Sequence, residues 1–237
     1  MGVGAQPACG LGASTPGAAP RRRLAVVIIN FRTPGMVLDC LATLDGQVDP
    51  GRDEVVVVDN ESGDDSAAAI RAGIEARGWS GWARVVEAGR NGGFSAGNNV
   101  GVRSSDAEFY LLLNSDTLVR PGAIAGLLEA AERLPQAGLI GPRLEYPDGT
   151  AQVSAFRVVT PCSQLVTSAH LSFLSRLLRP HLPSIPVSDE PHEAGWVSFA
   201  CVLVRRAVFE RIGPMDEGMF MYFEDIDYCR RAREAGW

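Results

Sequence analysis

The chain has 237 residues, 46% of them apolar and 21% charged, enough to bury one substantial core. Its net charge of −6 leaves no broad basic surface for nucleic acid, and no apolar run approaches the roughly 18 residues a membrane-crossing helix needs. Five cysteines, Cys9, Cys40, Cys162, Cys201 and Cys229, are scattered without a CxxC pair, so zinc and dithiol chemistry lose support and free thiols in a reducing cytosol are expected.

Residues 1–22 open with five Gly, five Ala and three Pro in the first twenty positions, without hydrophobic periodicity, and read as a disordered tail. "RRR" at Arg21 to Arg23 precedes an apolar run too short for a secretory signal, and is expected to lead into a first strand. From Leu24 the chain alternates. "LAVVIIN" is a strand, followed by a helix with Thr33 as N-cap, Pro34 at its first position, and Val37, Leu38, Leu41 and Leu44 on one face. "EVVVVDN" precedes a helix over about Asp64 to Ala76, "ARVVEAG" one over about Ser95 to Val102, and "EFYLLLN" one over about Pro121 to Leu134. Four such units with unbroken Val, Ile and Leu strands predict an α/β fold, a mostly parallel sheet with helices on both faces. Ligands of such sheets bind beyond the carboxyl ends of the strands.

Those ends carry the polar signals: Asn30, then Asp59 and Asn60, then Asn91 and Gly92, then Asn114 and Asp116. Turn chemistry explains any one of them, but four at one edge point to a site. Neither GxxxxGK[ST] nor GxGxxG occurs, so phosphate-loop and dinucleotide enzymes lose support. A carboxylate and an amide at Asp59 and Asn60 suit a base or ribose, while Arg90 and the Gly-rich turn opening a helix suit a diphosphate. Asp116, following Asn114 and Ser115 beyond a buried strand, is a candidate magnesium or manganese ligand unless it merely caps the next helix.

From Pro142 the pattern loosens into a "YPDGT" turn, a helix near Cys162 to Leu178, a Pro-rich linker to Pro191, a strand near Phe199 to Val204 and a helix from about Asp225 to Glu234. Residues 142–237 read as a lobe laid over the sheet that residues 23–141 form.

"VVVVDNESGDDS", "RNGGFSAGNNVG", "LLLNSDT", "GWVSFACVLVRRAVFERIG" and "MDEGMFMYFEDIDYCRRAREAGW", in that order, resemble family 2 glycosyltransferases of the rhamnosyltransferase-like branch, over Arg23 to Trp237. The resemblance implies a GT-A fold, a single Rossmann-like sheet with an acceptor-side lobe. It implies an inverting hexosyltransferase that moves rhamnose or another hexose from a nucleoside-diphosphate sugar to a glycan or polyprenyl-linked acceptor in cell-surface polysaccharide synthesis. It also implies residue roles. Asp59 and Asn60 match base and ribose contacts, and Asn91, Gly92 and Asn98 the stretch along the donor. Asn30, Arg90, Asn114 and Ser115 complete the donor side. Asp116 of "NSD" matches the ligand for Mg or Mn, and Asp225 of "EDID" the general base. Glu224 is its neighbour, and Trp196, Asp216 and Glu217 lie towards the sugar or acceptor.

Three positions depart from the family pattern. Asn114 replaces the first acid of the metal motif. Phe199 stands where a Gly is usual beside the acceptor cleft, so acceptor shape or local packing should differ. A further metal ligand, commonly His, is expected beyond the "EDID" helix, but the chain stops at Trp237 with His170, His181 and His192 all before it, the pattern of a fragment or an incomplete site.

The stripe Leu165, Val166, Ala169, Phe173, Leu174, Leu177 and Leu178 packs on the sheet by default; lipid-linked acceptors suggest peripheral contact with the inner face of the membrane instead. The rival functions are a sugar nucleotidyltransferase, disfavoured because "IINFRTPG" lacks the Gly-rich loop that class needs, and a non-catalytic nucleotide-sugar-binding domain. The "MYFEDIDYC" carboxylates suit a helix N-terminus, with Arg230, Arg231 and Arg233 towards the other end, and that setting is expected to favour an ionised Asp225. Asp227 is the structural acid of the group.

Overall fold

The computed structural model describes residues 21–158, 184–188 and 190–237. The tail before Arg21 and the stripe from Leu165 to Leu178 lie outside the described residues. Successive elements are β1 (Arg22–Asn30), α1 (Pro34–Leu44), β2 (Asp53–Asp59), α2 (Ser66–Ala76), β3 (Ala83–Glu87), α3 (Gly93–Arg103), β4 (Ala107–Asn114) and α4 (Ala123–Arg133). The second half contributes short strands β5 (Leu139–Ile140), β6 (Leu144–Glu145), β7 (Ala151–Gln152), β8 (Ala155–Phe156) and β9 (Trp196–Val197), then β10 (Cys201–Arg205), α5 (Arg206–Ile212) and α6 (Glu224–Glu234).

The main sheet has the order β3-β2-β1-β4-β10-β5. Its first four strands are parallel, as their apolar runs require, and β10 joins antiparallel to both β4 and β5. Alternate residues of each strand feed opposite faces. Leu24, Val26 and Ile28 meet Leu41 and Leu44 of α1, Ile70 of α2 and Leu128 of α4. Ala25 and Val27 meet Val102 of α3, Phe209 of α5 and Tyr228 of α6. The basic run becomes the start of β1, where Arg23 grips the fully buried Asp53 through two bonds of 3.0 and 2.6 Å.

The glycines of α3 have a packing cause. A Cβ at Gly101 would lie 2.3 Å from Val27 Cγ1, and one at Gly97 would lie 3.1 Å from Ile29 Cδ1. The helix therefore sits closer to β1 than a helix with larger side chains could, and its N-terminus reaches the strand ends. Phe199, in the loop before β10, is 3% exposed and meets Tyr228 edge-on at 6.2 Å. α5 was not expected: at seven residues it is too short to show a helical period.

Candidate active site

The register places the ends of the parallel strands level: Asn30 pairs with Asp59, Ile29 with Asn114, and Asp59 with Glu87. The chain entering β10 arrives at the same edge, because the Asn114 N–H donates to the Ala200 carbonyl at 2.9 Å. One rim therefore collects residues from four strands.

At its centre Asp59 is held rigidly. Its Oδ1 accepts from Asn30 Nδ2 at 2.7 Å and from Ser62 Oγ at 2.6 Å, and its Oδ2 accepts the Ser62 N–H at 3.1 Å. Asn30 is fully buried, and its Oδ1 takes the Thr33 N–H at 3.2 Å. Asn30 thus acts on Asp59 as a support. Ser62 was not singled out from sequence, although its place three residues after an Asp at a strand end is a turn signal.

The next rim segment is cross-tied. Asn60 Nδ2 donates to Asn91 Oδ1 at 3.0 Å and to the Gly93 carbonyl at 3.1 Å, while Asn60 Oδ1 is buried without a partner. Gly92 is buried at the start of α3. Asn98 donates one turn back to the Phe94 carbonyl at 3.1 Å and is 1% exposed, an internal helix contact. Its neighbour Asn99, unmarked in the sequence reading, makes the long-range bonds instead. Arg90 pairs with Glu217 at 2.7 Å, which joins two of the expected residues to each other.

Asn114 and Ser115 are half-buried and Asp116 is exposed just past β4. The Asp116 carboxylate takes no hydrogen bond from the described residues, and no group of three His, Cys, Asp or Glu side chains among them could hold a metal ion. One unengaged carboxylate fits a hard cation that takes its other oxygens from a diphosphate and water, and does not fit a cage made by protein alone.

Across the rim, β8 and β9 bring Phe156 and Trp196 into a stack of 3.9 Å and 11°. The Trp196 indole N–H is buried without a hydrogen-bond partner among the described residues. Asp216 folds a turn by accepting the Gly218 N–H at 2.9 Å. Residues 213–223 then dock on the start of α3, where Phe94 N–H meets the Phe220 carbonyl at 2.8 Å, and α6 begins four residues later with Glu224 and Asp225.

Both carboxyls are pushed above the usual range, chiefly by burial. Glu224 is 8% exposed and its Oε2 is without a hydrogen-bond partner among the described residues, where Asp225 accepts only the Ile226 N–H at 2.8 Å. This corrects the expectation from the helix N-terminus: burial outweighs the helix field at Asp225. Asp227 behaves as the structural acid, bound by Arg230 at 3.2 Å and Arg231 at 2.7 Å. The large apolar residues before α6 lie open: Phe220, Met221, Tyr222 and Phe223 are 54–73% exposed. Among the described residues the four non-glycine positions with left-handed backbone are Arg32, Glu61, Tyr222 and Phe223, all in loops that flank this rim. Such strain persists where surrounding contacts impose it and clusters at functional sites. Cys40 and Cys201 lie buried below, their thiols pushed up to about 12 by desolvation and hence inert.

The family description Glycosyl transferase family 2 matches residues 25–213. An N-acetylglucosaminyl-diphospho-decaprenol L-rhamnosyltransferase of Mycobacterium tuberculosis is 33% identical over 65% of this chain and 54% of its own length. The low-salt glycan biosynthesis hexosyltransferase Agl10 of Haloferax volcanii is 28% identical over 89% of this chain and 61% of its own length. The chain thus spans little more than half of these relatives. Among solved structures, the mannosyltransferase PcManGT of Pyrobaculum calidifontis, in complex with GDP-Man and Mn2+, superposes with a TM-score of 0.61 at 18% identity, covering 95% of this chain and 55% of that one. TarS of S. aureus in complex with UDP-GlcNAc gives 0.57 at 15% identity, over 90% of this chain and 54% of that one. These two likenesses establish the GT-A fold.

Proposed function

The chain belongs to glycosyl transferase family 2, in its rhamnosyltransferase-like branch, and we propose that it transfers a hexose from a nucleoside-diphosphate sugar to a hydroxyl of a glycan or polyprenyl-linked acceptor, with inversion. The observation that carries this reading is the single rim at which Asp59, Asn91 and Asp116 end one set of elements while the loop leading to Asp225 docks against the same helix N-terminus. That rim offers a rigid carboxylate for a base or ribose, a helix start for a diphosphate, and a half-buried carboxylate opposite.

In this reading Asp59 orients the nucleoside, held in place by Asn30 and Ser62. Asn60, Asn91 and Gly92 present the helix start to the diphosphate. Asp116 is the side chain that would hold Mg or Mn, which when bound offsets the charge growing on the leaving diphosphate. Asp225 accepts the proton of the acceptor hydroxyl as its oxygen bonds to the anomeric carbon and the carbon–phosphate-oxygen bond breaks on the opposite face. A base raised by burial suits this step, because proton transfer is most effective when the pKa approaches the working pH. The relatives named for L-rhamnosyl and hexosyl transfer support a hexose donor, and the decaprenol-linked substrate of one supports a polyprenyl acceptor at a membrane face.

The test is incubation of the full chain with a panel of nucleotide sugars, Mn2+ and polyprenyl-diphosphate-sugar acceptors. Nucleoside diphosphate and an extended acceptor are the expected products. Pyrophosphate release in a parallel incubation with a nucleoside triphosphate and a sugar 1-phosphate would point to nucleotidyl transfer instead, and no turnover of any donor would overturn the enzyme reading.

A further inference from the structure

Asn99 is 2% exposed in the middle of α3 and forms three bonds to a segment more than a hundred residues away. Its Nδ2 donates to the Met215 carbonyl at 2.9 Å and to Glu217 Oε1 at 3.1 Å, and its Oδ1 accepts the Met215 N–H at 2.9 Å. A side-chain amide that satisfies both backbone groups of one residue fixes that residue's position and its orientation together. Met215 is itself 1% exposed, so neither partner can turn to water. The second oxygen of Glu217 reaches back to Arg90 at 2.7 Å, at the head of the turn that opens α3.

The same two segments meet again one and a half turns nearer the helix start. Gly93 has φ +80°, and a Cβ there would lie 2.0 Å from the Phe220 carbonyl, which accepts the Phe94 N–H. Residues 215–220 are therefore stitched to α3 at two heights, and the chain has only Met221 to Phe223 between the upper stitch and Glu224–Asp225. The turn that carries Asn91 and Gly92 hangs from the same end of α3.

We propose that Asn99 is a positioning residue that, with Glu217, locks the loop before Asp225 to the donor-side helix, so that the base and the diphosphate turn keep one fixed separation. This rests on the glycosyltransferase reading. The expected consequence is a loss confined to the transfer step.

The experiment compares wild type, Asn99→Ala and Glu217→Gln in the full chain. Calorimetry with Mn2+ and nucleoside diphosphate measures donor-side affinity, and steady-state kinetics measures kcat and acceptor KM. Asn99→Ala is expected to bind nucleoside diphosphate within threefold of wild type while kcat falls at least thirtyfold. Glu217→Gln keeps an acceptor oxygen for Asn99 but loses the pull of Arg90, so its kcat should fall by three- to tenfold at unchanged melting temperature. If Asn99→Ala is folded and its kcat stays within threefold, or if affinity and kcat fall in parallel, the positioning role is wrong. Should Asn99→Ala fail to fold, Glu217→Gln decides alone, and an unchanged kcat there overturns the proposal. A wild type that turns over no donor refutes the underlying function before either variant is read, so the two failures remain distinct.

Discussion

Replacing Gly93 by Ala tests how tightly the loop before α6 is clamped. Two costs are independent of each other. A residue with a β-carbon at φ +80° sits in the left-handed region, at roughly 1–2 kcal/mol. The new Cβ would also stand 2.0 Å from the Phe220 carbonyl oxygen, and no real Cβ tolerates less than 3.0 Å, so the loop must retreat by at least the 1.0 Å difference. That retreat breaks the Phe94 N–H bond to Phe220, now 2.8 Å, at about 1 kcal/mol more. The sum is about 2–3 kcal/mol, a drop of roughly 4–12 °C in melting temperature at about 2–4 °C per kcal/mol for a domain of this size. Gly89→Ala supplies the control: its φ is +72° but nothing lies within 4 Å, so it should show the strain alone, about half the shift. Thermal unfolding followed by circular dichroism measures both, and sugar-transfer assays should show activity lost only in Gly93→Ala. Equal shifts for the two variants, or full activity in Gly93→Ala, would refute the clamp.

Asp225→Asn should lower kcat by about 10²–10⁴-fold without weakening nucleoside diphosphate binding. The same variant should be the more stable protein at neutral pH: a carboxyl whose folded pKa is raised contributes stability below its unfolded value of about 3.9 and loses it as pH rises through the folded value. Denaturant titrations at pH 4 and pH 8 check the sign, and an advantage for Asn that grows towards pH 4 would contradict it. Asp116→Ala should cost at least tenfold in nucleoside diphosphate affinity with Mn2+, about 1.4 kcal/mol, and nothing in the presence of a chelator; calorimetry under both conditions decides. Phe199→Ala should destabilise by about 3–5 kcal/mol through the cavity left beside Tyr228, read as a lower urea midpoint at unchanged slope.

The architecture of residues 23–141 was legible because its strands are buried on both faces and so read as unbroken Val, Ile and Leu, with cap and turn residues at their ends. The four strand ends were legible for the same reason. What the pattern hid was which polar side chain faces which neighbour. Asn98 and Asn99 are adjacent and chemically identical, yet a 100° step around the helix sends one to its own turn and the other to Met215. Asn30 donates to Asp59, and Arg90 and Glu217 hold each other, contacts that no spacing in the sequence announces. The short strands β5 to β9 were invisible because two-residue ladders carry no period. The direction of the Asp225 shift was not legible, because a helix N-terminus is readable from sequence, whereas the burial that pushes the carboxyl upward is not. Among the described residues no helix is long and apolar enough to cross a membrane.

The most direct test of the central claim is turnover itself. The full chain, with Mn2+, a panel of nucleotide hexoses including the rhamnose donor, and a polyprenyl-diphosphate-sugar acceptor, is followed by mass spectrometry of the acceptor and by the anomeric coupling of the new linkage. The expected result is a single added hexose with inverted configuration, absent when Asp225→Asn replaces the wild type. An acceptor that gains no mass with any donor, or equal transfer by Asp225→Asn, would contradict it.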